Sequence, residues 1–153
     1  MQPIDKRIVY VNPDGSIGVL CAAPGARLAS SVTLAKGVVK VPTPEPVERV
    51  LRKWPSAASV EWAETEAEFL QRIAAKDVPK DAVSFRIVDV ADLPAYRTFR
   101  SAWKDDGRGA LTHDLEKCRE LTKRMLGDAK HDNAIAVAQS VDALKALLSK
   151  GGR

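Results

Sequence analysis

Arg7-Ile8-Val9-Tyr10-Val11-Asn12-Pro13-Asp14-Gly15-Ser16-Ile17-Gly18-Val19-Leu20-Cys21 is the stretch that decides the fold class. Ile8 to Val11 are β-branched or aromatic, and Ile17 to Cys21 resume an apolar run beyond a polar corner. Asn12, Pro13 and Gly15 suit the first, second and fourth positions of a type I turn, with Gly15 able to take positive φ. Two antiparallel strands are predicted here.

Downstream, residues 23–36 are small and ambiguous, and Ala23-Pro24-Gly25-Ala26 reads as loop. Gly37 to Val41 suggests a third strand. Pro42-Thr43-Pro44-Glu45-Pro46 should stop that strand and open a helix, since prolines are tolerated in a first helical turn. Val47, Val50, Leu51 and Trp54 then repeat at helical spacing up to Pro55. Val60 and Trp62 alternate with polar residues as a short strand. Thr65 and Glu68 form a capping-box pattern before an apolar face of Leu70, Ile73 and Ala74, closed by Val78-Pro79. Phe85 to Val88 is another strand. Asp92 is expected to cap a helical turn containing Pro94, with Tyr96, Phe99 and Trp103 on one face. Lys104-Asp105-Asp106-Gly107 breaks the chain.

Beyond Gly107 no strand signal remains and two helices are expected. Leu115, Cys118, Leu121, Met125 and Leu126 stripe the first, with Thr112 as its cap and Gly127 as its stop. Ile135, Ala138, Val141, Leu144 and Leu148 stripe the second, with Ser140 as the point where it would divide. Gly151-Gly152-Arg153 reads as a frayed tail. The predicted class is α+β: an N-terminal β-hairpin and a small antiparallel or mixed sheet with helices on one face, then a helical C-terminal extension. The core would occupy residues 1–106, and residues 107–153 an appendage rather than an independent domain.

A length of 153 residues suits one domain, and 45% hydrophobic with 29% charged residues argues against disorder. No apolar run approaches the roughly 20 residues needed to span a bilayer. The N-terminal segment has no secretory apolar core, so a cytoplasmic location is expected. Cys21 and Cys118, far apart, make no disulfide framework and read as small buried hydrophobes in a reducing compartment.

The polar residues do not assemble into a known chemistry. His113, Cys118 and His131 lack metal-ligand spacing, and there is no Cys-x-x-Cys or His-Glu-x-x-His. Ser30-Ser31 has no nucleophile elbow, and Cys21 has no local base. Gly15-Ser16-Ile17-Gly18 fits neither phosphate-loop nor dinucleotide fingerprints. Glu64 with Glu66 lies beside a helix N-terminus, and Asp105 with Asp106 lies in a turn; both have structural explanations. No catalytic residue, metal or cofactor is assigned, and no enzyme is expected.

The net charge of +4 and pI of about 9.2 permit nucleic-acid contact. Arg97, Arg100 and Lys104 are spaced to share a helical face, and Lys117, Arg119, Lys123 and Arg124 cluster on the next helix. Glu116 and Glu120 are interleaved among them, so a solvated, salt-bridged face is the simpler reading and nucleic acid is not the favoured partner. Trp103, beside a polar break, is the aromatic best placed for a partner.

The run Phe85-Arg86-Ile87-Val88-Asp89-Val90-Ala91-Asp92-Leu93-Pro94-Ala95-Tyr96-Arg97-Thr98-Phe99-Arg100-Ser101-Ala102-Trp103 resembles a signature of small phage and prophage proteins often encoded among tail-region genes. In that family an Ile-Val-Asp strand leads through Leu-Pro to Arg-Thr-Phe-Arg-x-Ala-Trp and an acidic-Gly break, which Asp105-Asp106-Gly107 matches. Ile73 to Pro79, the opening hairpin with Ala22-Ala23-Pro24-Gly25, Asp114 to Arg119 and Arg124-Met125 are also similar. The likeness covers about residues 7–25 and 70–126. Residues 26–65 depart from it like an insertion, and so does the chain beyond Gly127. The resemblance implies phage origin, a tail role and possible virion association, and brings no chemistry with it.

The expected function is therefore a non-enzymatic phage protein acting on a phage or host protein, as a tail accessory component or assembly factor. The alternative is a small basic phage regulator or host-defence inhibitor that binds nucleic acid or a nucleoprotein complex. The candidate contact residues are Arg97, Arg100, Trp103, Lys117, Arg119, Lys123 and Arg124. Oligomeric state is not legible.

Overall fold

A computed structural model of the chain describes residues 2–95, 97–127 and 132–151. Tyr96, His131 and residues 152–153, which figured in the predicted helix face, the histidine group and the tail, lie outside the described residues. The chain is mixed α+β and divides into two compact units. The first comprises Met1–Tyr10 and Val19–Asp89, and the second Val11–Gly18 and Val90–Arg153.

From Lys6 to Asp89 the elements run β1 (Lys6–Val11), β2 (Ile17–Leu20), β3 (Leu28–Leu34), β4 (Gly37–Pro46), α1 (Val47–Lys53), β5 (Ser59–Trp62), α2 (Glu66–Asp77) and β6 (Ser84–Asp89), all in the first unit except the hairpin tip Val11–Gly18. They build two three-stranded sheets, ordered β2-β1-β6 and β4-β3-β5. The opening hairpin forms as its sequence predicts. The Gly15 N–H donates to the Asn12 carbonyl at 2.9 Å, and Gly15 takes φ 82°. The Asp14 carboxylate braces the corner by accepting from the Ser16 N–H at 2.9 Å and the Ser16 hydroxyl at 2.6 Å.

Each sheet buries one face under a helix. Ile4, Ile8 and Ala22 pack with Phe69, Leu70, Ile73 and Ala74 of α2. Ala29, Val32 and Val41 pack with Val47 and Val50 of α1. The capping box of α2 is complete: the Glu68 N–H donates to Thr65 Oγ1 at 3.1 Å, and the Thr65 N–H donates to Glu68 Oε2 at 2.7 Å.

Two expectations need correction here. Within the ambiguous 23–36 segment, Leu28–Leu34 is the central strand of the second sheet. A register shift between Ala29 and Ser31 buries Ala29, Ser31 and Val32 together and erases the alternation a strand should show. Nor does the proline-rich run stop β4. Register with β3 jumps from Ser31↔Lys40 to Ala29↔Glu45, so Pro42 and Pro44 fall where no ladder partner is needed. β4 is also an outer strand, the position where proline is tolerated.

The second unit holds β7 (Trp103–Lys104), β8 (Thr112–His113), α3 (Leu115–Leu126), α4 (Asp132–Val137) and α5 (Val141–Gly151). Phe99, Ala102, Cys118, Ile135, Ala138 and Leu144 form its core. Residues 90–106, grouped by sequence with the N-terminal core, thus share a core with the C-terminal helices. Among the described residues from Asp92 to Trp103 the expected helix is absent, and short 3-10 turns stand at Val90–Asp92 and Arg100–Ala102. Its backbone is engaged elsewhere. The Asp92 carbonyl accepts the Leu111 N–H and the Ala102 carbonyl the Asp114 N–H, each at 2.8 Å.

A two-residue strand, β8, does follow Gly107, paired with β7. Asp114, not Thr112, caps α3, its Oδ1 accepting the Lys117 N–H at 3.2 Å. Gly127 ends that helix with φ 65°. The last stripe divides between α4 and α5, where Ser140 Oγ accepts the Ala143 N–H at 3.2 Å. Among the described residues, no helix is long and apolar enough to cross a membrane.

Candidate functional site

The reactive side chains are placed by the core rather than gathered in a cleft. His113 faces Trp103 across the β7–β8 ladder, and its ring stands perpendicular to that of Phe99 with centroids 6.4 Å apart. Burial pushes its imidazole below the ordinary histidine value. Trp103 Nε1 and His113 Nε2 are buried, with no hydrogen-bond partner among the described residues. Cys118 is fully buried, and burial followed by the charge of Asp114 pushes its thiol up, which disfavours the nucleophilic thiolate. Cys21, expected to be buried, is exposed, because it follows the last paired residue of β2. Ser31 is buried and donates to Glu61 Oε2 at 2.8 Å. Among the described residues no group of three or more His, Cys, Asp or Glu is placed to hold a metal ion.

The sequence-predicted contact residues divide between exposed and interior positions of the second unit. Arg97 and Arg100 are exposed but lie in turns and Lys104 in β7, so the expected common helical face does not exist. Trp103 is only 5% exposed and packs in the interior, with the Arg100 guanidinium 6.0 Å from its ring centre, so it presents no aromatic anchor. Arg119 is committed internally: Nη1 pairs with Glu116, and Nη2 donates to the Ala138 carbonyl at 2.6 Å. Lys117, Lys123 and Arg124 are exposed on α3. Lys117 and Arg124 flank a shallow hollow of about 170 Å³ shared with Glu120 and Leu121. Charge is not segregated either. Each unit carries 12 Lys and Arg against 10 Asp and Glu, a net charge of +2 apiece.

The site with recognition character lies in the first unit. β6 is an outer strand of the order β2-β1-β6. Between its start and the C-terminal end of α2 runs an open groove of about 510 Å³, lined by Ala74, Val78, Pro79, Lys80, Val83 and Phe85 among others. Val83 is 70% exposed and Phe85 44%, two large apolar side chains left to solvent on adjoining backbone. Sequence marks 85–88 as a strand but not as an edge, and not Phe85 as an exposed residue. The other aromatic surface, at Trp62, is engaged by its own chain. The Arg27 guanidinium stacks 4.3 Å from the Trp62 ring centre and donates to the Glu64 carbonyl at 3.0 and 3.2 Å.

No protein-family model matches the chain, and no curated protein or solved structure is similar enough to it to count as a match.

Proposed function

We propose that this chain is a non-enzymatic protein of phage or prophage origin that works by contact with another protein, as a tail accessory component or assembly factor. The observation that carries the contact reading is the groove at β6, where Val83 and Phe85 stand exposed at a strand that has no outer neighbour among the described residues. Exposed apolar surface next to a sheet edge is costly in isolation and marks surfaces that other chains cover. The phage origin rests on the resemblance of Phe85 to Trp103, with Asp105-Asp106-Gly107, to the phage and prophage signature. On this reading the chain works in the cytoplasm of a bacterial host, or on a virion.

Protein contact is preferred to nucleic-acid contact because the cations of α3 alternate with Glu116 and Glu120, and neither unit concentrates positive charge. Affinity purification of the tagged chain from induced lysogens and from purified particles tests the reading. Recovery with tail proteins or virions is expected, and recovery with neither overturns it. A phosphate-backbone binder would instead bind labelled DNA or RNA at low salt and lose it steeply as salt rises.

A further inference from the structure

We propose that the groove between α2 and β6 takes an extended, apolar segment of a separate partner protein, laid beside Val83–Phe85 as an added strand, with a carboxylate of that segment at Lys80. The inference rests on the protein-contact reading above and specifies its geometry and chemistry. An outer strand offers main-chain groups to an incoming extended chain, while hollows for alternate side chains supply selectivity. Phe85, the second residue of β6, and Val83, just ahead of that strand, are both exposed and both line the groove. The end of α2 contributes the small side chains of Ala74 and Ala75 to the lining. Val78 and Pro79 add further apolar surface to the lining.

Charge selects the occupant's polar group. Among the described residues, Lys80 is the one charged residue in the lining of this groove, and no acid lines it. Asp77 and Asp81 are exposed neighbours outside the lining. A segment of alternating apolar residues that brings a single carboxylate therefore complements both the walls and the charge. A basic segment would meet Lys80 unfavourably.

The probe is an acetylated Thr-Val-Thr-Val peptide with a free C-terminal carboxylate, titrated into the isotope-labelled full chain and followed by backbone amide shifts. Shifts confined to Val83, Ser84, Phe85 and the Ala74–Lys80 stretch are expected. The C-terminal amide form of the peptide should bind at least threefold more weakly, and Lys80→Glu should abolish that preference. An absence of shifts along 83–85 at millimolar peptide overturns the added-strand assignment, as does a binding site elsewhere. If the peptide fails while tail proteins still co-purify with the chain, and Phe85→Asp removes them, the strand mode is rejected and the contact reading stands. If co-purification fails as well, both are rejected. Concentration-dependent dimerisation that Phe85→Asp abolishes would put a second copy on this edge and overturn the assignment to a separate partner.

Discussion

Arg72 holds Glu64 with both ends of its fork: Nη2 donates to Oε1 at 2.6 Å and Nε to Oε2 at 2.9 Å. The same carboxylate accepts the Leu28 N–H at 2.9 Å, and Arg72 Nη2 also donates to the Ala26 carbonyl at 3.0 Å. One ion pair thereby ties the start of β3 to α2. Glu64 is 10% exposed and Arg72 39%, so the pair is partly shielded from water. A bidentate, partly buried pair of this kind is worth more than a surface contact.

Replacing Glu64→Gln is expected to cost about 1–2 kcal/mol at neutral pH, because a charged hydrogen-bond set is lost and Arg72 keeps no counter-charge. The Arg72 hydrogen bond, aided by the Leu28 N–H and the Arg27 charge, holds the Glu64 carboxyl below the ordinary glutamate range against the opposing effect of burial. The stabilisation is present above the unfolded-state value of about 4.3 and is lost as pH falls through the lower folded-state value. Urea unfolding of both proteins at neutral and acidic pH checks this. The gap between them should narrow in acid, and a gap independent of pH would contradict the assignment.

The two phenylalanines Phe99 and Phe85 should behave oppositely. Phe99 is fully buried in the core of the second unit, whereas Phe85 is 44% exposed. Phe99→Ala should destabilise by about 3–5 kcal/mol, and Phe85→Ala by about 1 kcal/mol or less. Denaturation midpoints of the two variants decide the matter. A Phe85 variant as damaged as the Phe99 variant would assign that ring to folding rather than recognition.

His113 should make the second unit acid-sensitive. Its imidazole is held below the ordinary value by burial, so the unfolded chain takes up the proton first. Stability contributed by the neutral ring is full above about 6.5 and declines as pH falls through that value towards the folded-state one. Thermal unfolding at pH 7.5 and pH 5.5 should show a loss that His113→Phe reduces. An equal loss in the variant would place the acid sensitivity elsewhere.

The thiols should differ sharply towards an alkylating or disulfide reagent. Cys21 is exposed, while Cys118 is buried with its thiol pushed up by that burial. One reactive thiol per native chain is expected at neutral pH, and two after denaturation. Mapping the modified peptide checks the order. Reaction at Cys118 in the native chain would mean that the α3 core opens readily.

Much of the fold was legible where local chemistry and tertiary context agree. Gly15 in the hairpin, Thr65 with Glu68 at the start of α2, and Gly127 at the end of α3 each carry their structural reason in a few neighbouring residues. Leu28–Leu34 was hidden because its bulge breaks the alternation and because Ala29 and Ser31 fill a central strand with small side chains. Asp92 to Trp103 misleads in the opposite sense. Its aromatic spacing fits a helix, yet its carbonyls are claimed by Leu111 and Asp114. The groove was not legible at all, since nothing in the local sequence marks Val83 and Phe85 as exposed or β6 as an outer strand. Conversely Trp103 and Arg119, chosen by sequence as contact residues, are occupied by the interior of their own unit.

Recognition through the apolar edge of β6 is the central claim, and site-directed photocrosslinking in induced lysogens tests it most directly. A benzophenone amino acid would replace Val83, with a control at Lys36, an exposed turn residue of the same unit. The account predicts a discrete protein adduct from position 83, competed by excess untagged chain and absent from the control. No adduct at position 83, or the same adducts from both positions, would contradict it.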